Sequence, residues 1–467
     1  PSAIDLMNKN NKMTMSNLKS VRLFTFCGEP LMKNHLKNIF KSCPKVEVHN
    51  TYGPTEATVS FTLLKLTKNN YNSKCDGQSV ALGSPISNMK YHLLNGNNLN
   101  EGEIGISGPQ LANGYWKNEK KTSSNFVKLD INGKQTQVYL TGDKGYMKKG
   151  LLYFGGRIDN QVKIKVKATG ISFAMNLFVQ GKYQVRPPLP FIPGTEIAGE
   201  IIELGSATTR FKKGDRICAV IDFGGLAEIA VAKEVNVYGI PDGLSYERAI
   251  SFTNSYATSF AALGWPSLLN LKQSEWILIH GASGGVGLAA IEIAKILGGQ
   301  VIATAGSPKK LEIARSRGAD HVINNRNNGF RDKIMEITSL EGVNAVYDPI
   351  GGEVFNESLR CLAPEGRIMP VGFASGAIPQ IAANLLLVKN LTVCGLNMGL
   401  YFGWGPRDMR YHYEEKMRKH METLFNWFQK GLINPTISNC YSLADFQRAM
   451  EEVLSRRSFG RIAVVMD

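Results

Sequence analysis

The chain has 467 residues, of which 43% are hydrophobic, 20% charged and 9% aromatic. This composition excludes disordered, collagen-like and coiled-coil proteins, and the length predicts about three domains. The net charge is +15, and residues 1–165 supply most of it, with 23 basic against 11 acidic side chains. This uneven distribution is not typical of a nucleic-acid-binding protein. It indicates a lysine-rich surface, with a polyanion site as the alternative.

The sequence predicts no membrane span, because no apolar stretch reaches about 18 residues. The N-terminal PSAIDLMNKNNK has neither an initiator Met nor the apolar core of a signal peptide, so we expect the chain to start inside a longer polypeptide. Seven cysteines are scattered without a C-x-x-C pair. They predict no disulfide framework and no zinc lobe, and they favour a reducing, cytoplasmic location.

In chain order, residues 21–27 predict a buried strand, 31–41 a helix and 46–49 a second strand. Residues 83–156 predict short strands separated by Gly and Asn. The β signals continue over residues 162–250 as VKIKVKA, EIAGEIIELG, DRICAVI and LAEIAVA. The first half of the chain is therefore expected to be rich in β-structure.

Strands and helices alternate from residue 276 onward: WILI, LAAIEIAKILG, QVIATAG, KKLEIARSRG, HVIN, AVYDPIG and GRIMPVG. This alternation predicts an α/β fold with a doubly wound parallel sheet. Two further helices are predicted at 413–431 and 442–455, followed by the closing strand GRIAVVM.

The glycine-rich turn between the first of these strands and its helix reads IHGASGGVG. Glycine lets the backbone approach a pyrophosphate, and the helix N-terminus offers free N–H groups to the anion. The turn therefore predicts a dinucleotide site, with a purely structural turn as the alternative. The predicted cofactor-binding residues of this turn are Gly281, Ser283, Gly284, Gly285, Val286 and Gly287.

The nucleotide preference depends on the end of the second strand. An NAD-binding fold usually carries Asp or Glu there, for the ribose hydroxyls. This chain instead has Ser307, Lys309 and Lys310, which suit a 2′-phosphate, so NADPH is the predicted cofactor. The alternative is that these lysines merely stand at the solvent-exposed start of a helix and bind no phosphate.

The stretch GKYQVRPPLPFIPGTEIAGEIIELG, followed by GDRICAV, HGASGGVG, GADHVIN, YDPIGG and GRIMPVGFASG, resembles the medium-chain dehydrogenase/reductase superfamily. Within it, the zinc-free NADPH:quinone oxidoreductase (zeta-crystallin-like) branch is most similar. The resemblance implies a GroES-like substrate domain beside a Rossmann domain, and a homodimer. It also implies cofactor contacts from Tyr256, Thr258, Gly372 and Phe373.

The metal ligands of the zinc-dependent members are a Cys after the first strand and a Gly-His-Glu. This sequence has Ser172 and Gly194-Thr195-Glu196 at those places, so no catalytic metal is expected. In related enoyl reductases a Tyr in a Gly-x-Tyr turn protonates the substrate, and Tyr183 matches it. Ser172 and Met175 replace the Asn and Asp found nearby in those enzymes, and a packed aromatic role for Tyr183 is the alternative.

Residues 21–163 resemble a different superfamily, the adenylate-forming enzymes, through LFTFCGEPL, NTYGPTEATVS, GEIGISGPQLANGYW, YLTGDKG and GRIDNQVKIK. D-Alanine:carrier-protein ligases and amino-acid adenylation domains are most similar. The resemblance implies that Thr55 and Glu56 meet phosphate and Mg²⁺, that Asp143 holds the ribose, and that Arg157 lies nearby. The upstream phosphate loop and the subdomain with the catalytic Lys do not occur, so we expect this part to be inactive.

Three domains are predicted: a partial adenylation domain at 1–163, a GroES-like domain at 164–252 with 396–467, and a Rossmann domain at 253–395. Both patterns are truncated where they meet, which indicates a fusion, natural or assembly-derived. The favoured function is NADPH-dependent reduction of a quinone or an α,β-unsaturated carbonyl. The alternatives are an ATP-dependent amino-acid-activating enzyme, a non-enzymatic NADPH-binding or RNA-associated protein, and an enoyl-reductase module of a larger synthase.

Overall fold

The computed structural model describes the chain except for residues 1–3, 5–6, 8–13, 15–17, 99, 158–159, 188, 206, 327–328, 406 and 467, and except for the side chains of 95–98, 120 and 157. The fold separates into two compact units. Unit 1 comprises Pro1–Gln161 and Leu204–Thr209, and unit 2 comprises Val162–Glu203 and Arg210–Asp467. The division of unit 2 into a substrate domain and a Rossmann domain stays a prediction.

Unit 1 is built mainly from strands, and its described residues also form short helices. These helices include α1 (Lys33–Ser42) and α2 (Glu119–Asn125). The strands are β1 (Leu23–Phe26), β2 (Glu47–Tyr52), β3 (Thr62–Leu66), β4 (Cys75–Asp76), β5 (Ser79–Val80), β6 (Ser84–Pro85), β7 (Lys90–Asn98), β8 (Glu101–Ser107), β9 (Phe126–Ile131), β10 (Lys134–Lys148) and β11 (Leu151–Arg157). A four-stranded sheet has the order β1-β2-β3-β6, a five-stranded sheet has the order β11-β10-β8-β7 with β9 beside β10, and β4 pairs with β5.

Unit 1 has its own hydrophobic core. The amphipathic helix α1 buries Leu36, Ile39 and Phe40 against the first sheet. A second cluster gathers around Phe61 and the alternating apolar residues of β8. One face of β8 is buried along the strand, and from Ile104 to Ser107 both faces are buried, so this end of the strand lies inside the core of unit 1.

Unit 2 carries the remaining elements. Its strands are β12 (Gln161–Ile171), which starts at the boundary, β13 (Glu196–Leu204), β14 (Arg216–Val220), β15 (Ile229–Lys233), β16 (Val237–Gly239), β17 (Trp276–Ile279), β18 (Gln300–Ala305), β19 (His321–Asn324), β20 (Val343–Asp348), β21 (Leu362–Pro370), β22 (Thr392–Val393), β23 (Ile437–Ser442) and β24 (Arg461–Val465). Its helices are α3 (Phe173–Val179), α4 (Tyr246–Ala249), α5 (Ala257–Gly264), α6 (Gly285–Ile296), α7 (Pro308–Ser316), α8 (Phe330–Ile337), α9 (Glu353–Cys361), α10 (Ala383–Lys389), α11 (Glu414–Gln429) and α12 (Phe446–Leu454).

A six-stranded parallel sheet forms the centre of unit 2, in the order β19-β18-β17-β20-β21-β22. Strand order reverses beside β17, because its neighbours β18 and β20 continue the chain in opposite directions across the sheet. This is the doubly wound order of dinucleotide-binding folds, with ligands expected at the carboxyl end of β17. Strands such as β18 are buried along almost their whole length, because both faces of the sheet are covered.

The second sheet of unit 2 has the order β16-β14-β13-β12-β24-β23, with β15 beside β12. Its members come from both ends of the unit, since the C-terminal strand β24 lies antiparallel to β12. These two sheets and the fragment in unit 1 confirm the predicted fold class. The edge strands β22 and β23 and a π-helical turn at Phe252–Tyr256 were not predicted. The π-helical turn contributes to the site described next.

Candidate active site

The glycine-rich turn lies at the junction between β17 and α6, as predicted. Gly281 has φ +55°, and the Gly284 N–H donates to its carbonyl oxygen at 2.9 Å. A Cβ on Gly287 would lie 2.5 Å from that same oxygen. The first turn of α6 therefore packs directly on the backbone of the loop, an approach that no side chain at 287 allows.

Two buried polar atoms without partners face the start of α6. Ser255 Oγ and Arg461 Nε have no hydrogen-bond partner among the described residues. Both side chains border Gly285, where an added Cβ would lie 2.9 Å from Ser255 Oγ and 2.6 Å from Arg461 Cδ. Buried donors without partners are costly, so they indicate a place where a ligand supplies the acceptor. Together with the free N–H groups of α6, these atoms fit a pyrophosphate.

Arg461 is held in place by a buried acidic partner. Its guanidinium pairs with Glu196, and the Asn254 side-chain amide donates to the other oxygen of the same carboxylate. Arg461 and Glu196 are among the buried charged residues of the chain. Glu196 stands in the Gly194-Thr195-Glu196 tripeptide considered above for metal ligation. Its side chain here orients a cation towards the cofactor turn.

A group of cations gathers at the end of β18. Ser307 caps α7 by accepting from the Lys310 N–H at 3.4 Å, and Lys310 Nζ donates to the Arg456 carbonyl oxygen at 2.7 Å. A Cβ on Gly306 would lie 3.3 Å from Arg326 Nε. Burial, followed by the charges of Arg326 and Arg456, lowers the pKa of Lys310. No carboxylate in the described part of the chain forms an ion pair with these three cations. The group therefore suits an added phosphate.

Lys309, the neighbour of Lys310, contacts an aromatic ring. Its Nζ lies 5.6 Å from the centroid of the Phe459 ring, in the loop before β24. This C-terminal loop belongs to the site, because the Gly460 N–H donates to the Ser283 carbonyl oxygen at 2.7 Å. The Val286 carbonyl oxygen accepts from Ser259 Oγ at 2.9 Å, which fixes the start of α6 from the other side.

Gly372 and Phe373 lie in the loop after β21, which packs on the loop after β20. The Ala374 N–H donates to the Pro349 carbonyl oxygen at 3.1 Å, and a Cβ on Gly351 would lie 2.9 Å from Phe373 Cδ1. Pro349 also borders Gly281, where an added Cβ would lie 3.1 Å from Pro349 Cγ. The structure thus brings these two predicted residues to the same edge of the sheet as the glycine turn.

The Tyr256 side chain is buried in the interior of unit 2. Its hydroxyl donates to Glu292 Oε2 at 2.6 Å, and its ring stacks on Phe252. Burial and the adjacent Glu292 raise its pKa well above the usual value. The π-helical turn at 252–256 sets this direction and points Ser255 at Gly285 instead, which the sequence pattern did not indicate. Thr258 follows in α5 and is half-buried.

An aromatic wall, consisting of Phe178, Tyr183, Phe191, Phe223 and Trp404, stands at the end of the second sheet. Phe178 and Tyr183 have ring centroids 4.1 Å apart, and Phe223 and Trp404 stack at 5.7 Å. The loops that carry it flank Glu196, because Glu196 pairs with Val220 and the Gly224 N–H donates to the Ile192 carbonyl oxygen. The wall therefore lies at the sheet end where Arg461 approaches the glycine turn.

Tyr183 is the wall residue predicted to donate a proton. Its side chain is half-buried, and its hydroxyl makes no hydrogen bond to any described residue. Burial raises its pKa, so the hydroxyl stays protonated near neutral pH. Ser172 has a local role, since its Oγ caps α3 by accepting from the Met175 N–H at 3.2 Å.

In unit 1, the carboxylates of the predicted ATP site have hydroxyl partners. Tyr52 donates to Asp143 Oδ2 at 2.5 Å, and Tyr115 donates to Glu56 Oε1 at 2.6 Å. Thr55 opens the 3₁₀ turn Thr55–Ala57 that carries Glu56. The backbone of Arg157 pairs with Asp143 across β10 and β11, while its side chain lies outside the described residues.

Two features are absent over the residues that the structure describes. None of their helices is long and apolar enough to cross a membrane. No group of three or more His, Cys, Asp or Glu side chains is arranged there to hold a metal ion.

Three family models match the chain. They are described as zinc-binding dehydrogenase, over residues 285–415, alcohol dehydrogenase GroES-like domain, over 158–242, and AMP-binding enzyme, over 1–116. A quinone oxidoreductase-like protein 2 homolog of Nematostella vectensis is 38% identical over 306 residues, covering 65% of this chain and 81% of that protein. Quinone oxidoreductase-like protein 2 of Rattus norvegicus is 36% identical over 305 residues, covering 65% and 84%.

The solved structures include a quinone oxidoreductase of Escherichia coli complexed with NADPH. It is 29% identical, with a TM-score of 0.60, and the match covers 66% of this chain and 92% of that one. A doubly wound sheet with a glycine turn at its switch point, beside a GroES-like sheet, defines a medium-chain dehydrogenase/reductase. The chain belongs to the zinc-free quinone oxidoreductase branch of that superfamily, and it carries a fragment of the AMP-binding enzyme family in front.

Proposed function

We propose that unit 2 is an NADPH-dependent reductase whose acceptors are quinones or α,β-unsaturated carbonyls. The observation that carries this proposal is the pair of partnerless buried atoms, Ser255 Oγ and Arg461 Nε, at the N-terminus of α6. The relatives named quinone oxidoreductase and the related structure complexed with NADPH support the same assignment.

Each part of the site has a distinct task in this proposal. The N–H groups of Gly285–Gly287 and the Arg461 guanidinium bind the pyrophosphate. Lys310, Arg326 and Arg456 bind the 2′-phosphate through charge-assisted hydrogen bonds, with Ser307 and Lys309 beside them. NADPH, when bound, supplies a hydride. The aromatic wall excludes water from the acceptor, and the Tyr183 hydroxyl donates to the carbonyl oxygen as negative charge develops there.

The nucleotide preference provides a direct test. We compare Arg456→Ala with Arg457→Ala, an adjacent exposed arginine whose Nε donates to Ser455 Oγ. Loss of one charged contact should raise the KM for NADPH about tenfold or more and leave the KM for NADH unchanged. Arg457→Ala should change neither. The measurement is the steady-state oxidation of NADPH and NADH by a quinone, and equal use of both nucleotides by the unchanged protein would contradict the proposal.

A second candidate function belongs to unit 1. The AMP-binding match indicates that unit 1 derives from an ATP-dependent enzyme, whose ribose-binding carboxylate would be Asp143. The adenylate-forming pattern ends after Lys163, before the part that carries the catalytic Lys, so we propose that this half is inactive. ATP–pyrophosphate exchange with D-alanine tests it, and measurable exchange would overturn the inactive assignment.

We further propose a homodimer in a reducing, cytoplasmic setting. The edge strand β22 follows the helix α10, which exposes Leu387 and Val388, and Ile378 is exposed just before it. Such an apolar edge suits pairing with a second copy. All seven cysteines are free thiols, as expected for a protein in a reducing compartment. Light scattering of the purified chain and of Leu387→Asp tests the dimer, since the substitution should yield monomers.

A further inference from the structure

We propose that Trp404 selects planar aromatic acceptors by stacking on them, and that Arg410 positions it; both lie in the segment formed by Met398–Gly405 and Arg407–Arg410. The inference rests on the proposed reductase function and adds to it the class of acceptor. It draws on an ordered set of contacts around Trp404 that the cofactor site does not use.

The plane of the Trp404 ring is fixed by three contacts. Its Nε1 donates to Asp222 Oδ1 at 3.2 Å, its ring stacks on Phe223 at an interplanar angle of 25°, and it meets the edge of Phe178 at 86°. One hydrogen bond and two ring contacts in different directions leave the indole little rotational freedom. Trp404 is nevertheless only half-buried, so part of its surface stays available to a ligand.

Arg410 fixes the acceptor of that hydrogen bond. Its Nη2 donates to the same Asp222 Oδ1 at 3.2 Å, and its Nε donates to Asp408 Oδ1 at 2.7 Å. The Arg410 side chain is 5% exposed, whereas those of Asp222 and Asp408 are 56% and 42% exposed. Burying the cation while its partners remain in solvent gains little stability, because the desolvation of the guanidinium offsets the attraction. The arrangement is better explained by a positioning role, in which Arg410 holds Asp222, and Asp222 in turn holds the Trp404 indole.

The backbone before Trp404 is shaped to receive this arginine. Gly403 has φ +98°, and a Cβ there would lie 2.1 Å from Arg410 Nη2. Only glycine combines the left-handed conformation with room for the guanidinium. The segment is also tied to the rest of unit 2, because Asn236 Nδ2 donates to the Phe402 carbonyl oxygen at 3.1 Å and Lys233 pairs with Asp408. Arg410 thus locks the loop onto its support one residue before the indole.

The aromatic surface around Trp404 suits acceptors with flat, electron-poor rings. Trp404 stands with Phe223, Tyr183 and Phe191, all half-buried, at the sheet end that faces the cofactor turn. An aromatic quinone presents two π faces that stack on an indole, whereas a short aliphatic enone presents one narrow conjugated system. A fixed indole therefore contributes more to binding the quinone than to binding the enone.

The test compares 1,4-naphthoquinone with methyl vinyl ketone as acceptors for the full chain. Trp404→Leu should raise the KM for the naphthoquinone about tenfold and the KM for the enone less than about twofold. Arg410→Gln and Asp222→Asn should shift the naphthoquinone KM in the same direction, by about fivefold and threefold. Arg407→Gln, an exposed arginine of the same segment, is the matched control and should change neither value.

Two further readouts separate this inference from folding and from the proposed function. The Kd for NADPH should stay within about twofold in every variant, since no hydrogen bond or ion pair joins the described residues of the segment to the glycine turn. Isothermal titration calorimetry with naphthoquinone measures binding without turnover, and Trp404→Leu should raise its Kd about tenfold. If the unchanged protein reduces neither acceptor, the reductase proposal fails while this titration still decides the role of Trp404. Equal KM changes for both acceptors, or none, would overturn the inference.

Discussion

Gly287 gives the sharpest test of the cofactor turn, because an alanine there has two opposing effects. A Cβ at 287 would lie 2.5 Å from the Gly281 carbonyl oxygen and 2.7 Å from Ala282 Cα. A tolerable carbon–oxygen contact is about 3.3 Å, so the loop must move by about 0.8 Å. Overpacking of this kind costs about 1–3 kcal/mol, whereas alanine gains about 1 kcal/mol of helix propensity over glycine.

The loop that moves also binds the pyrophosphate, so the cost should appear in affinity. A loss of about 2 kcal/mol corresponds to binding of NADPH about 30-fold weaker in Gly287→Ala. Isothermal titration calorimetry measures it. Gly395→Ala is the control, because nothing lies within 4 Å of a Cβ there. If Gly287→Ala melted at a higher temperature and bound NADPH as tightly as the unchanged chain, the close approach of helix and loop would not matter for the cofactor.

Three further predictions concern other groups. Tyr183→Phe should lower kcat about 10²-fold in the quinone assay with the Kd for NADPH unchanged, and an unchanged kcat would make Tyr183 a packing residue. Burial lowers the pKa of His420 to about 4, so the folded chain keeps it neutral while the unfolded chain protonates it below about 6.5. Stability should therefore fall as pH drops from about 6.5 to about 4, by about 1.4 kcal/mol per pH unit. His420→Gln should reduce the difference in unfolding free energy between pH 7 and pH 5 by about 2 kcal/mol in urea titrations, and an unchanged difference would place the titration elsewhere. NADPH at about 100 times its Kd should stabilise unit 2 by about 2.7 kcal/mol in thermal melts, while ATP with Mg²⁺ shifts nothing; an ATP shift that Asp143→Asn abolishes would show a working nucleotide site in unit 1.

The alternation of strands and helices could be predicted because each element carries its own signal. The apolar run WILI, the glycines and the helix that follows form a local pattern, and the structure places β17, the turn and α6 there. The capping of α7 by Ser307 is equally local. Residues a few positions apart determine such features, so a single sequence suffices to indicate them.

The contacts that complete the site could not be predicted in this way. Arg461 and Glu196 are 265 residues apart in the sequence. The one signal for their pairing was that each is a charged residue within a largely apolar strand, where a charge needs a partner. Arg456 and Arg326 reach the end of β18 through tertiary packing alone. Tyr256 turned inward because a π-helical turn shifts the register of 252–256, which no apolar periodicity reveals. The short edge strands β22 and β23 likewise form only because they pair with β21 and β24, which are distant from them in the sequence.

The two units also bear on the predicted fusion. The boundary between them falls at Gln161, close to the predicted end of the adenylate-forming pattern at Lys163. Strand β12 starts there and runs without a linker into the sheet that β24 completes. The first residues after the boundary therefore belong to the reductase sheet, and we expect them to contribute to its stability.

A crystal structure of the chain with NADPH tests the central claim most directly. The account predicts the pyrophosphate against the N–H groups of Gly285–Gly287 with Ser255 and Arg461 as partners, and the 2′-phosphate among Lys310, Arg326 and Arg456. A nucleotide bound elsewhere, or a 2′-phosphate left in solvent with these cations turned away, would contradict it.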